Sequence, residues 1–206
     1  MIVAASIFDL FERQGREIHL RDGVSQREHA LQAAALAEAE GAAPPLVLAA
    51  LLHDIGHLLA PGCTGADAHR ESALSHEQIG AGWLERLFGP AITEPVRLHV
   101  EAKRYLCALE PGYAKQLPEA SLQRLAIQGG PLTRSEIRDF QENPYHRAAV
   151  WLRRIDDRAC DASRVQVPGF EHYGERLEAA LVSRRLALET ACRRSGLAGA
   201  GHCQPC

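Results

Sequence analysis

The chain has 206 residues, 46% of them hydrophobic, with 23 basic against 26 acidic side chains and a net charge of −3. That length can bury a sizeable core in one large domain, and the charges are mixed in sign, without the basic stripe of a nucleic-acid binder. No apolar run approaches the roughly 20 residues of a membrane span.

The opening "MIVAASIFDLFERQGRE" lacks the basic flank of a leader peptide, and Asp9 and Glu12 interrupt its apolar run. Its apolar residues instead recur at helical spacing over "IVAASIFDLFERQ". Ser25 and Glu28 form a capping box that opens a second helix, closed by Gly41. Pro44 and Pro45 suit the first turn of a third helix, predicted to run to about Leu59. The polar, Gly-containing stretch "APGCTGADAHRESAL" reads as a loop, after which Ser75 and Gln78 cap "HEQIGAGWLERLF".

Thr93 is placed at the start of "EPVRLHVEAKRYLCAL", and a short helix is expected over Glu119–Ile127. Thr133 and Glu136 form another capping box, for "RSEIRDFQE". Asn143-Pro144 starts "YHRAAVWLRRIDDRAC", and a last helix covers about Glu171 to Arg194. No segment alternates as a strand does. The expectation is an all-α helical bundle in a single domain over residues 1–195, with a flexible tail at 196–206. The six cysteines (Cys63, Cys107, Cys160, Cys192, Cys203 and Cys206) follow no disulfide framework. Cys203 and Cys206, beside His202, lack further metal ligands nearby and read as part of the tail. A cytoplasmic protein with reduced thiols is expected.

The stretch "LAALLHDIGHLL" sets His53, Asp54 and His57 in an otherwise apolar segment. Buried charge is costly unless paired or bound to a metal. On one continuous helix, His57 would lie a turn beyond His53 on the same face, and Gly56 would let another backbone or a ligand come close. His29, His76 and His99 each lie in another predicted helix, so four helices offer one imidazole each, as bundles do when they build metal sites. Imidazole and carboxylate suit zinc, iron or manganese. Asp156 shares an apolar line with Ala149 and Leu152, whereas Asp157 falls with Arg153 and Arg154, where a solvated ion pair is expected. Asp156 is therefore the candidate carboxylate ligand. His69, His146 and His172 sit among polar or charged residues and are expected to be exposed; His19 belongs to a short loop before the His29 helix that could cover the site.

These residues resemble the HD-domain superfamily, whose H…HD…D pattern fits His29, His53-Asp54 and Asp156. His76 and His99 match the expanded set that holds two metals. The segments "HVEAKRYL", "QGGPLT", "RRIDDRA" and "VPGFEHY" extend the resemblance to the HD-domain mixed-valent di-iron oxygenases of phosphonate breakdown. The resemblance implies two Fe ions, Fe(II)/Fe(III), one held by His29, His53, Asp54 and Asp156, the other by His76 and His99, with Asp54 bridging. It also implies a small organophosphonate and O2 as partners, with neither nucleic acid nor membrane. Asp54, His57 and Lys103 are the candidate catalytic residues. His57 and Lys103 are also expected to bind the phosphonate, aided by Ser121 and Gln128. Gly129-Gly130-Pro131 reads as a turn that could also bring backbone to the ligand.

The known family substrates are 1-hydroxy-2-aminoethylphosphonate, cleaved to glycine, and its N-trimethylated relative, cleaved to glycine betaine. The glycine-forming branch carries Y-x-x-E before the first histidine ligand, whereas this chain reads "HLRD", with His19 and Asp22 at the matching positions. A shorter carboxylate leaves room for a trimethylammonium head, so the expected product is glycine betaine with phosphate, and glycine with phosphate is the alternative. An HD-type metal-dependent phosphohydrolase and a regulatory HD module that binds without turnover are the rival readings.

Overall fold

Ser25 and Thr133 each accept the backbone N–H of the residue three positions on, and Glu28 and Glu136 return the bond to the capping residue's own N–H, so both predicted capping boxes form. The computed structural model describes residues 2–17, 23–59, 66–160 and 167–194. Among them the chain forms ten α-helices and no strand. These are α1 (Ile2–Arg13), α2 (Gln26–Ala39), α3 (Pro44–Leu52), α4 (Ala66–Leu84), α5 (Pro90–Leu109), α6 (Tyr113–Gln116), α7 (Glu119–Ile127), α8 (Arg134–Glu142), α9 (His146–Arg158) and α10 (Gly174–Arg194). The tail at 196–206 lies outside the described residues, as do His19, Asp22, Cys63, His202, Cys203 and Cys206.

α3 is apolar on every side, and such a helix must be buried. Leu48, Leu51, Leu52 and Ile55 are fully enclosed, each contributing about 1.5–3 kcal/mol by leaving water. α3 packs against α2, α5, α9 and α10, and α5 in turn packs against α4 and α9. The result is an all-helical single domain with α3 enclosed by α2, α5, α9 and α10. No described helix is long and apolar enough to cross a membrane.

Several boundaries differ from expectation. α3 stops at Leu52 rather than near Leu59; Asp54 takes φ −100°, ψ 9°, and Ile55–His57 is a 3₁₀ turn. The apolar pattern continues through that turn because the turn is itself buried, so hydrophobicity alone does not mark the break. The stretch expected as a loop is helical from Ala66, but a non-helical Ser75 (φ −137°, ψ 18°) breaks α4 where the second half was expected to begin. α5 starts at Pro90 behind Gly89, not at Thr93; its first-turn proline is Pro90, and Pro95 lies inside the helix. α9 begins at His146, and Asn143 Oδ1 accepts the Tyr145 N–H at 2.8 Å to form the turn before it.

Gly129 and Gly130 take φ of +96° and +71°, which suits glycine. Arg104 Nε donates to the Gly130 carbonyl at 2.8 Å. The turn is therefore pinned to α5 by an arginine, and its backbone is not part of the ligand cavity. It serves instead to place Gln128 beside Lys103.

Candidate metal centre and its cavity

His53 is the C-cap of α3, and its Nδ1–H donates to the Ala50 carbonyl at 2.8 Å. His99, on α5, makes the same bond to Val96 at 2.7 Å. With the proton held on Nδ1, each ring turns an Nε2 lone pair inward. The His53 lone pair meets His29 Nε2 at 3.0 Å, and that of His99 meets His76 Nε2 at 3.1 Å. Two imidazole nitrogens face each other at such a distance only with a proton or a metal cation between them.

Carboxylates complete both pairs. Asp156 Oδ1 lies 3.1 Å from His29 Nε2 and 3.6 Å from His53 Nε2. Asp54 stands between the pairs: Oδ1 is 3.2 Å from His76 Nε2 and 3.7 Å from His99 Nε2, while Oδ2 is 3.8 Å from His29 Nε2. Gln26 Nε2 also donates to Asp54 Oδ2, at 3.3 Å. The six sequence-predicted ligands thus come together from α2, the end of α3, α4, α5 and α9, and their imidazole and carboxylate donors fit hard-to-borderline cations. Asp54, His57 and His76 also bring one ligand atom each within 4.8 Å of one another, as do His29, His53 and Asp54.

The electrostatics agree with a site built for cations. Burial opposes the charge on Asp54, but the histidines around it, His53 foremost, hold its carboxyl well below the usual range. Burial likewise opposes the charge on Asp156, and Arg153, then His29, keep it ionised. The His29 imidazole is raised despite its burial, because Asp156 and Cys160 hydrogen-bond to its protonated form. His99 is driven well below its ordinary value, by burial first and His76 second. His57 is pushed down to about 3 for the same reasons and is neutral.

The corner that crowds these groups together depends on Gly56. A Cβ on Gly56 would fall 1.9 Å from the His76 carbonyl oxygen, so the expected close approach is that of α4's backbone. His57 is not one α-helical turn beyond His53. The 3₁₀ turn instead stacks its ring on His76, with centroids 4.0 Å apart.

A cavity of about 330 Å³ opens onto the cluster. The four candidate substrate-binding residues His57, Lys103, Ser121 and Gln128 line it. Lys103 Nζ donates to Gln128 Oε1 at 2.5 Å. The Lys103 ammonium is pushed down to about 8, by burial first and then by the Arg153 charge.

Five further residues line it that the sequence does not single out for the site: the apolar Val100 and Ala120, and Arg124, Arg153 and Cys160. Arg153 is buried, not part of a solvated pair; it holds Asp156 Oδ2 at 2.8 Å and Asp157 Oδ1 at 3.0 Å. Tyr113 in turn donates to Asp157 Oδ2 at 2.5 Å. Tyr113, on the unforeseen α6, thereby fixes the arginine that fixes a candidate ligand. The i−3 spacing of Arg153 to Asp156 was the available signal. His172 is exposed as expected, whereas His146 is half-buried, with Nδ1 at 2.8 Å from the Asn143 carbonyl.

A family described as "HD domain" matches residues 27–127. That segment holds every candidate ligand except Asp156. Hydroxymethylphosphonate dioxygenase of Gimesia maris is 42% identical over 176 residues, covering 85% of this chain and 87% of the relative. The glycine-betaine-forming [1-hydroxy-2-(trimethylamino)ethyl]phosphonate dioxygenase of Leisingera caerulea is 39% identical over 165 residues, covering 80% and 83%.

Proposed function

This chain belongs to the HD-domain phosphonate dioxygenases, and from that premise we propose that it uses O2 to cleave the C–P bond of a short 1-hydroxyphosphonate and releases phosphate. The observation that carries the reading is Asp54: a buried carboxylate set between two inward-facing imidazole pairs, at the floor of a cavity that also holds a buried lysine. His29, His53, Asp54 and Asp156 would hold one iron, and His76 and His99 the other with Asp54. Two irons, Fe(II)/Fe(III), would supply O2 activation and a binding point for the substrate's oxygens.

The chain's own residues then do the rest. Lys103, steadied by Gln128, offers a desolvated positive charge to the phosphonate, which is worth more in a buried cleft than in water. Ser121 adds a hydroxyl from α7. His57, neutral and braced against His76, contributes a ring nitrogen that can hydrogen-bond the anion. Arg153 keeps Asp156 ionised and oriented. The enclosure of His29, His53 and His99 limits water around the reacting carbon.

Lys103 carries charge below its pKa of about 8. We therefore expect kcat/KM to fall as pH rises through about 8. Lys103→Arg, which stays charged, should lose that limb of the profile even if the rate is lower. The same shift acts on stability with a defined sign. Between about 8 and the ordinary 10.5 the unfolded chain binds more protons, so this group's contribution to stability rises with pH across that window.

The glycine-betaine-forming reading rests on Asp22, which lies outside the described residues. It stands as the second reading, favoured by the relative that forms glycine betaine. To test the function, the protein is loaded with iron without oxygen, then given O2 with each hydroxyphosphonate separately, and phosphate is followed by NMR. Phosphate that appears only with iron and O2 is expected. Manganese-supported release of phosphate from phosphate esters without O2 would point to the hydrolase instead.

A further inference from the structure

Ser121, Arg124 and Gln128 follow one another at i, i+3 and i+7 along α7 and its cap, and all three line the cavity. Gln128 reaches inward to Lys103. Arg124 is exposed and so marks the cavity's rim, and its guanidinium has no carboxylate partner among the described residues.

The charges of the lining can be paired off. Arg153 is neutralised by Asp156 and Asp157. Asp54 is committed to the imidazole cluster. Lys103 and Arg124 remain as two uncompensated cations, one deep and one at the rim. Lys103, buried, is the cation placed to meet the phosphonate, whereas Arg124 stands at the exposed rim, where no described carboxylate lines the cavity to meet a positive head on the substrate. No Phe, Tyr or Trp lines the cavity among the described residues, although an aromatic cage is the usual means of recognising a quaternary ammonium.

We propose that Arg124 is a specificity-determining residue that restricts this cavity to 1-hydroxyphosphonates without a cationic head, of which hydroxymethylphosphonate is the smallest. The inference rests on the phosphonate-dioxygenase reading and chooses a substrate class within it. The repulsion acts on the C1 substituent rather than on the phosphonate, so the ratio between two substrates reports it. A general loss of anion attraction would change both substrates alike.

The experiment compares wild type, Arg124→Gln and Arg124→Glu, each iron-loaded and kept free of oxygen. Hydroxymethylphosphonate and the trimethylammonium substrate are titrated calorimetrically, and phosphate release is measured after O2 is admitted. Wild type should bind and cleave hydroxymethylphosphonate at least about tenfold better. Arg124→Glu should narrow that ratio by about tenfold through gained trimethylammonium binding, with Arg124→Gln between. A wild type that prefers the trimethylammonium substrate, or one ratio common to all three proteins, would overturn the inference. If neither phosphonate bound nor gave phosphate, the dioxygenase reading itself would fall, and this inference with it.

Discussion

If the proposed two-iron centre forms, replacing Asp54 by Ala should leave at most one bound iron per chain and eliminate C–P cleavage. Without Asp54, the His76 and His99 pair keeps no carboxylate among the six assigned ligands, while His29 and His53 keep Asp156. The first pair should therefore empty, and the second should hold iron less tightly. Loss of a partner that merely supports a ligand already costs 10–100-fold in metal affinity or activity, so loss of a shared ligand should cost at least about 100-fold in phosphate release. Asp54→Asn keeps the packing and removes the charge, and its iron content should fall as well. Metal analysis after anaerobic reconstitution reads both variants, and two irons retained in Asp54→Ala would show that Asp54 is not shared.

Gly56→Ala should damage both the fold and one half of the centre. The added Cβ would sit 1.9 Å from the His76 carbonyl oxygen and 3.0 Å from the Gly80 nitrogen. Both obstacles are backbone, so α4 has to move as a body. Overpacking of this kind costs about 2 kcal/mol or more, which in a chain of this size lowers Tm by about 4–8 °C. The same displacement carries His76 away from Asp54 and His99, so iron should fall toward one per chain. Gly82→Ala is the control: it lies on the same helix with nothing within 4 Å of its Cβ, and removing a helix-interior glycine there should be neutral or slightly stabilising. Equal melting and equal iron content in the two variants would contradict the packing argument.

Much of this site was legible before the structure because its groups break the local pattern. Three ionisable residues in an apolar run are costly, so their presence already asks for a partner. Asp156 could be separated from Asp157 by its line with Ala149 and Leu152, and those two are fully buried. Gly56 announced a close approach. What stayed hidden was decided by tertiary contacts. The switch from α3 to a 3₁₀ turn leaves no polar mark, because the turn is buried like the helix before it. Arg153 beside Arg154 looked like a solvated ladder, and only Tyr113, arriving from a helix 40 residues earlier, shows that Asp157 clamps an arginine inside the cavity. Arg124 lacked a sequence signal beyond its spacing to Ser121.

In the proposed centre one carboxylate, that of Asp54, serves two metals. Crystals of the iron-loaded protein, measured at the iron absorption edge, locate metal directly by anomalous scattering. Two peaks are predicted, one beside His29, His53 and Asp156 and one beside His76 and His99, with the Asp54 carboxylate between them. A single peak, or two peaks of which one lies away from Asp54, would contradict it.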